Sequence, residues 1–519
     1  MRQYLVTACE MKRYDGNTTE KYQIPSLVLM ERAALVTTEE LQRARGTAPC
    51  RVLVVAGGGN NGGDGLAVGR LLMLQGYDVT FVLLAHESQC SAQTVKQTDI
   101  LREYQARIFS TIQDGEYDIV IDAIFGIGLS RPAEGIYAEA VAWINRSGAY
   151  VCSVDIPSGI RADTGEIMGC AVRADLTVTY GFLKIGQILY PGAEYAGRLV
   201  CRQMGIDAHS FLGAEPHWYT YTGRHTRVLP ARQADGNKGT FGKVLVIAGS
   251  GQTAGAAMMA VKSVLRVGAG MVKVVTPQQN REAVQQFVPE AMLLTYTGME
   301  DFGQDAPFAQ WLKEAVEWAD CILTGPGIGM DRCAAKLLSF SILESRLPLV
   351  IDADGLNLLA QDHGLQEALS EQGAGGRSVI LTPHPGEFAR LYGCTVPQVK
   401  EHLTDYPQRL GDRLHCTVVC KDARTVVVRH GGRHGYLNTT GNDGMATAGS
   451  GDVLAGMVTG LMAQGMQEME AAAAGVYLHG IAGDLAAERE TKVSMTATDI
   501  IDCIKDVILL QQDGTEKEA

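Results

Sequence analysis

The stretch VVAGGGNNGGDGLAVGR, Val54 to Arg70, sets the frame for the whole chain. Six glycines, two asparagines and one aspartate fill residues 57–65, directly after the apolar run RVLVVA (51–56) and ahead of a helical pattern that runs to about Gln75. Strand, glycine turn and helix in that order open a parallel α/β unit. Glycine in such number costs backbone entropy, so a stable fold keeps it only where the chain needs positive φ or approaches a ligand closely. Asn60, Asn61 and Asp64 add two amides and a carboxylate beyond what a turn requires.

Outward from this stretch the same rhythm repeats. DVTFVLLA (78–85), YDIVIDAIFG (117–126), AYVCSVDIPSG (149–159) and DLTVTYGF (175–182) read as strands, each stopping at Gly, Ser, Asp or Pro with helical stretches between. That predicts a mostly parallel sheet covered on both faces, with ligands bound beyond the carboxyl ends of its strands. From Gly205 to about Gly239 the periodicity lapses, and it restarts at GKVLVIAGSGQTAGAAMMAVKSVLRVGAG (242–270). ADCILTGPGIG (319–329), LPLVIDADGLNLL (347–359), SVILTPHPGE (378–387) and TVVCKDARTVVVRH (417–430) continue it. For 519 residues two large domains are expected, with a boundary near Gly223, hence 1–223 and 224–519. The tail from Ile504 is expected to end a helix and fray.

Composition narrows the class. With 46% apolar and 20% charged residues the chain is an ordinary globular sequence. A net charge of −13 without Lys/Arg clusters argues against nucleic-acid or anionic-membrane partners. Twelve cysteines without CxxC pairs indicate neither a zinc site nor a disulfide framework. No signal-peptide core and no run near the ~18 apolar residues of a membrane span is present, so a cytoplasmic protein is expected.

Gly57, Gly59 and Gly62 satisfy G-x-G-x-x-G, with Glu87 in the place of a ribose-binding acid, which would make the chain a nicotinamide dehydrogenase. The match is weak, because a glycine run satisfies many templates by chance. Strand ends offer more. Asn61, Asp122 and Ser158 are oxygen-bearing and singly charged as a set, so with backbone carbonyls they suit a hard monovalent cation better than magnesium. Asp155 is left to act on substrate.

GGGNNGGDG, IDAIFGIG, SVDIPSG and YGFLKIG, preceded by IPSLVLMERAA, resemble the NAD(P)H-hydrate epimerase family over nearly all of residues 1 to about 220. The resemblance implies a Rossmann-like three-layer domain that interconverts the R and S epimers of hydrated NADH or NADPH (NADHX and NADPHX), with potassium held by Asn61, Asp122 and Ser158. Substrate contacts would fall on Asn60, Asn61, Gly62, Gly63 and Asp64, on Gly126, Ile127, Gly128, Leu129, Ser130, Arg131 and Pro132, and on Asp155. Loss of the ring hydroxyl to an iminium and return of water on the other face needs a proton donor and acceptor. Asp155 is the candidate, and Lys184 the second group.

In the second half, NTTGNDGMATAGSGDVLAGMVTGLMAQG (438–465) places Gly449, Ser450 and Gly451 at the start of a helix, where backbone N–H groups favour a transferring phosphate. Asp452 could there deprotonate an attacking hydroxyl. No G-x-x-x-x-G-K-[ST] occurs, so this is not a P-loop. Other strand ends carry TGPGIG (324–329), Asp352 and Asp354, and His384 with Glu387, whose simplest role is at a helix N-terminus.

GSGD after a glycine-rich segment resembles the ribokinase-like superfamily, and the fuller motif set is similar to the ADP- or ATP-dependent NAD(P)H-hydrate dehydratases over about Thr226 to Leu510. The resemblance implies phosphorylation of the ring hydroxyl by ADP or ATP with Mg2+, followed by phosphate elimination that restores the nicotinamide. Its substrate contacts fall on Ala256, Gly329, His384 and Asp452, and its nucleotide contacts on Lys421, Asp422, Ala423, Arg424, Thr425 and Gly451. Two departures stand out: KDART where KGAGT is usual, and AGAAM where GAP is common. The whole chain thus resembles the bifunctional NAD(P)H-hydrate repair enzymes, and a homo-oligomer is expected. The alternative is a ribokinase-like small-molecule kinase fused to a dinucleotide-binding or scaffold module.

Overall fold

The computed structural model describes residues 2–113, 115–303 and 306–513, so the end of the tail lies outside the described residues. The chain divides into two units, Gln3–Trp218 and the chain from Tyr219 onward together with Arg2, ahead of the expected Gly223. No helix among the described residues is long and apolar enough to cross a membrane.

In the first unit the strands β1 (Arg51–Ala56), β2 (Asp78–Leu83), β3 (Ile108–Phe109), β4 (Ile119–Ala123), β5 (Tyr150–Val154), β6 (Leu176–Tyr180) and β7 (Arg198–Arg202) form one sheet in the order β3-β2-β1-β4-β5-β6-β7. Every pairing in it is parallel. Along β1, Val52, Val54 and Ala56 pack into one layer with Leu66 and Leu72, while Leu53 and Val55 pack into the other with Val141 and Ile144. Both faces are covered by helices, which is why this strand reads as a continuous apolar run. Helices α1 (Ala8–Glu20), α2 (Ser26–Arg45) and α3 (Asn60–Leu74) flank the site described below. A capping box between Thr7 and Glu10 starts α1.

The glycine run does something other than its sequence suggests. The helix begins at Asn60, inside the run, and none of its glycines has positive φ. A Cβ at Gly57 would lie 2.0 Å from the Ile124 carbonyl oxygen, at Gly62 1.9 Å from that of Gly57, and at Gly65 2.3 Å from the Ala123 Cβ. The glycines therefore let α3 and the ends of β1 and β4 touch backbone to backbone, and positive φ is not their purpose.

The second unit contains β8 (Lys243–Ile247), β9 (Met271–Pro277), β10 (Met292–Tyr296), β11 (Cys321–Thr324), β12 (Leu349–Ile351), β13 (Val379–Leu381), β14 (Thr417–Cys420), β15 (Val426–Arg429) and β16 (Gly435–Leu437), in the order β10-β9-β8-β11-β12-β13-β14-β15-β16. Pairing is parallel up to β14 and antiparallel for the last two strands. Its helices α4 (Ala254–Arg266) and α7 (Ser450–Ala463) cross closely, since a Cβ at Gly456 would sit 2.3 Å from the Ala260 carbonyl oxygen. Between them in sequence come α5 (Asp354–Gln361) and α6 (Pro385–Tyr392).

Both units run their parallel strands in the same relative order, and the order reverses between β1 and β4 and between β8 and β11. Such reversals open a crevice at the carboxyl ends of the strands. Several strands went unread in the sequence because they are short or half-polar: β3, β7, β9, β10 and β16. Trp218–Tyr221 is another strand, inside the stretch without periodicity, and its Tyr219 and Tyr221 pack on Tyr436 at 5.4 and 5.1 Å.

Candidate functional site

At the carboxyl edge of the first sheet lies a cavity of about 670 Å³, within the range of small-molecule sites. Asn60, Asn61, Asp64, the loop Gly126 to Arg131, Asp155 and Lys184 line it. Gly62 and Gly63 are buried behind the wall, and Pro132 stands outside the lining set.

Asp155 follows β5 with φ at +66°, a left-handed conformation that costs a non-glycine residue ~1–3 kcal/mol and tends to occur at functional sites. Its backbone is over-determined: the N–H donates to the Val178 carbonyl at 2.8 Å, and the Gln187 side chain donates to its carbonyl at 2.6 Å. Its Oδ1 accepts from Lys184 Nζ at 2.5 Å and from Thr179 Oγ1 at 2.9 Å. Lys184 is fully buried and also donates to Thr179 Oγ1 at 2.7 Å and to the Tyr180 carbonyl at 3.2 Å. Parallel pairing of Leu5 and Val6 with Leu183 and Lys184 fixes its register. The acid and the ammonium are thus locked together at the cavity wall.

Asp122, at the end of β4, is fully buried, and Oδ2 accepts from Ser153 Oγ at 2.7 Å and Ser158 N at 2.9 Å. Burial pushes its carboxyl up, against the pull of these hydrogen bonds. Ser158 Oγ accepts from Phe125 N at 2.9 Å, and Asn61 Nδ2 donates to the Phe125 carbonyl at 3.0 Å. That leaves Asn61 Oδ1 buried without a hydrogen-bond partner. An orphaned amide oxygen near a buried carboxylate fits a bound monovalent cation, since an unmet acceptor of this kind is costly. Among the described residues no cluster of three or more His, Cys, Asp and Glu side chains offers a different metal site. Glu87 forms an exposed ion pair with Arg102 at 2.7 Å and is not part of the cavity, which removes the ribose acid a dehydrogenase would need.

In the second unit the corresponding strand ends carry a denser network. Lys421 Nζ donates to Asp352 Oδ1 at 2.6 Å, and Thr382 Oγ1 donates to the same oxygen at 2.8 Å. Gly451 lies over this pair, for a Cβ there would be 3.2 Å from Lys421 Nζ. Burial alone would lower the Lys421 ammonium, but the Asp352 and Glu387 carboxylates outweigh it and the net shift is upward. Helix α7 starts after Gly449 at φ +90° with no side chain capping it, so no side chain occupies the N–H groups of its first turn. Asp452 sits in that first turn, its carboxyl raised to about 7 by burial and then by Asp352, with Lys421 opposing.

Gly329 N donates to Asp354 Oδ2 at 2.9 Å, and Gly327 packs on Ala256, a Cβ there lying 2.8 Å from the Ala256 Cβ. Ala353, between the two aspartates, holds φ at +49°. His384 caps α6: Nδ1 accepts from Gly386 N at 3.0 Å, and Nε2 stands 3.3 Å from Glu387 Oε1. Glu387 closes the capping box by accepting from His384 N at 2.8 Å, the helix-terminal role expected of it. Burial, then Lys421, lowers the His384 imidazole.

Residues 26–186 match the family described as YjeF-related protein N-terminus, and residues 244–506 match NAD(P)H-hydrate dehydratase. The bifunctional NAD(P)H-hydrate repair enzyme Nnr of Moorella thermoacetica is 35% identical, covering 97% of this chain and 96% of its own. The chain belongs to the bifunctional NAD(P)H-hydrate repair enzyme family. Its namesake in Thermofilum pendens is 36% identical over 95% of this chain and 94% of its own. The ADP/ATP-dependent NAD(P)H-hydrate dehydratase of Bacillus subtilis, co-crystallised with ATP and Mg2+, is 26% identical with a TM-score of 0.46, covering 56% of this chain and 96% of its own. The fold class is the expected α/β, with a doubly wound, largely parallel sheet of Rossmann-like strand order in each unit.

Within this repair-enzyme chain, the KDART departure has a local reason. Residues 421–425 turn from β14 into the antiparallel β15 without positive φ, so Asp422 and Arg424 meet no steric bar. Asp422 Oδ1 accepts from Ala423 N at 2.9 Å, Oδ2 lies 3.8 Å from Lys400 Nζ, and the Thr425 carbonyl accepts from Asn438 N at 2.9 Å. Sequence reasoning missed Asp15, which lines the first cavity with Met11, Lys12, Leu29 and Met30. A signal existed: Asp15 falls four residues after buried Met11 on the stripe that also carries Tyr14 and Thr18, and a carboxylate on an apolar stripe invites a question.

Proposed function

We propose that the unit Gln3–Trp218 interconverts the R and S epimers of hydrated NADH and NADPH, and that the second unit dehydrates the S epimer at the expense of ADP or ATP. The observation that carries the reading is Asp155, held in a strained conformation against buried Lys184 at the wall of a cavity. Its carboxylate and the neighbouring ammonium can give and take a proton at the ring hydroxyl. The loop Gly126 to Arg131 and Asn60 would orient the dinucleotide. Potassium would be held by Asn61 Oδ1, Asp122, Ser158 and backbone carbonyls, supplying positive charge near the reacting ring.

In the second unit Asp452 would take the proton of the ring hydroxyl as that oxygen attacks the terminal phosphate, and the N–H groups opening α7 would receive the transferring phosphoryl group. Lys421 to Thr425 would hold the nucleotide, with Gly451 leaving room above the Asp352–Lys421 pair. Ala256, Gly329 and His384 would border the hydrate. Asp352 and Asp354 are engaged by Lys421 and Gly329, so magnesium fits best as an ion carried on the nucleotide's phosphates, where it neutralises developing charge. Cytoplasmic placement is supported by cysteines that are all free thiols. Self-association is supported by exposed Leu27, Val28 and Leu35 on α2.

Separated R and S hydrates, incubated with and without ADP or ATP, test the reading. Interconversion without nucleotide, and nucleotide-dependent recovery of dihydronicotinamide absorbance with release of inorganic phosphate, are expected. A stable phosphorylated product without recovered absorbance would instead identify a small-molecule kinase.

A further inference from the structure

The first cavity holds more proton-carrying groups than Asp155 and Lys184. Asp64, the fifth residue of α3, and Asp15, on α1, line it too. Among the described residues neither carboxylate has a hydrogen bond or an ion-pair partner, whereas Asp155 is tied to Lys184 and Thr179. Asp64 lies within electrostatic reach of Asp155, Asp15 and Lys184. It leaves the sheet with β1 and Asp155 with β5, and β4 lies between these strands. Asp64 is carried on α3, which follows β1, whereas Asp155 directly follows β5, so the two carboxylates reach the same cavity from different elements.

Epimerisation through an iminium has a two-sided requirement. The hydroxyl leaves from one face of the ring and water arrives on the other, so a single fixed carboxylate cannot serve both. We propose that Asp64, flanked by Asp15, is the second catalytic acid–base group of the epimerase site and serves the ring face opposite Asp155. The inference rests on the epimerase reading of this unit.

In one direction the Asp64 carboxyl gives its proton to the ring hydroxyl, and the carbon–oxygen bond breaks with its electron pair leaving on water. The ring-nitrogen lone pair forms the carbon–nitrogen double bond. A second water then adds on the other face, its oxygen lone pair forming the new bond while the π pair returns to nitrogen. The proton released goes to the Asp155 carboxylate. Asp64 is now the base and Asp155 the acid, the state that runs the reverse direction, and exchange with solvent resets either one. Burial first, then Asp155 and Asp15, holds the Asp64 carboxyl well above the usual range, as suits a donor near neutral pH. The charged and titratable groups lining the cavity around it are Asp15 and Lys12 of α1, Asp155, Lys184, Tyr180 and Arg131.

The test is Asp64→Asn in the full chain, assayed in ¹⁸O-labelled water with each hydrate separately. Epimer interconversion should fall at least ~100-fold. The epimer whose hydroxyl faces Asp155 should still exchange its oxygen with retention, within about tenfold of the unaltered enzyme. Equal losses of exchange and interconversion on both epimers would reduce Asp64 to a binding contact, and interconversion within threefold of the unaltered enzyme would remove it from the reaction; either overturns the proposal. A second variant, Asp15→Asn, removes a charge that raises Asp64, so the alkaline limb of interconversion should move to lower pH; an unmoved limb counts against the pairing. If the unaltered enzyme itself fails to interconvert the hydrates, the epimerase reading falls, a result distinct from any behaviour of the variants. An unchanged thermal transition of Asp64→Asn confirms that the variant is folded.

Discussion

Asp155 and Asp452, the two carboxylates proposed to carry protons, are held in different ways. Asp155 is positioned: its backbone is held at φ +66° and its side chain is pinned by Lys184 and Thr179. Asp155→Ala should lower epimer interconversion at least ~100-fold while leaving dehydration of the S hydrate unchanged, as chromatographic separation of the epimers would report. Asp452 is instead tuned by burial and by Asp352 to titrate at about 7. A base must be ionised, so kcat/KM for dehydration should fall about tenfold per pH unit on the acid side of 7. Asp352→Asn removes the charge that resists ionisation of Asp452 and should shift that acid limb to lower pH. An acid limb unmoved by Asp352→Asn would mean that another group is the base.

At the scale of elements, the glycine run of α3 is a packing device. Gly62 touches the Gly57 carbonyl so closely that Gly62→Ala must push the helix off the sheet, and the first unit should lose ~1–3 kcal/mol or more by urea denaturation. Gly128→Ala is the contrast: a Cβ there meets nothing within 4 Å and φ is not positive, so stability should hold within ~0.5 kcal/mol. If both variants behave alike, backbone contact does not explain the run. The α4–α7 crossing follows the same rule, with Gly456 and Gly460 against the backbone of Ala260 and the side chain of Val267. That crossing brings the uncapped start of α7 to the edge of the second sheet.

For the molecule as a whole, two units share one strand order and set a buried or strained aspartate after equivalent strands, Asp155 after β5 and Asp352 after β12. Asp122 gives the first unit a buried charge that a cation can compensate. At equal ionic strength K+ should raise the melting temperature of that unit more than Na+, because a ligand that binds only the folded state stabilises it by mass action. Asp122→Asn should erase the difference, as differential scanning calorimetry can show. What the sequence by itself determined is local: the alternation of strand and helix, the glycine turns, and the carboxylates and amides set at strand ends, all of which follow from period and residue chemistry within about ten positions. What only the tertiary structure decided is which distant groups meet. Nothing local links Asp15 to Asp64 and Asp155, or Lys421 to Asp352. Nor does local pattern reveal that the first glycine run serves backbone contact, since parallel crossovers return the chain to the sheet edge at positions set by strand order, and only the finished sheet fixes those distances.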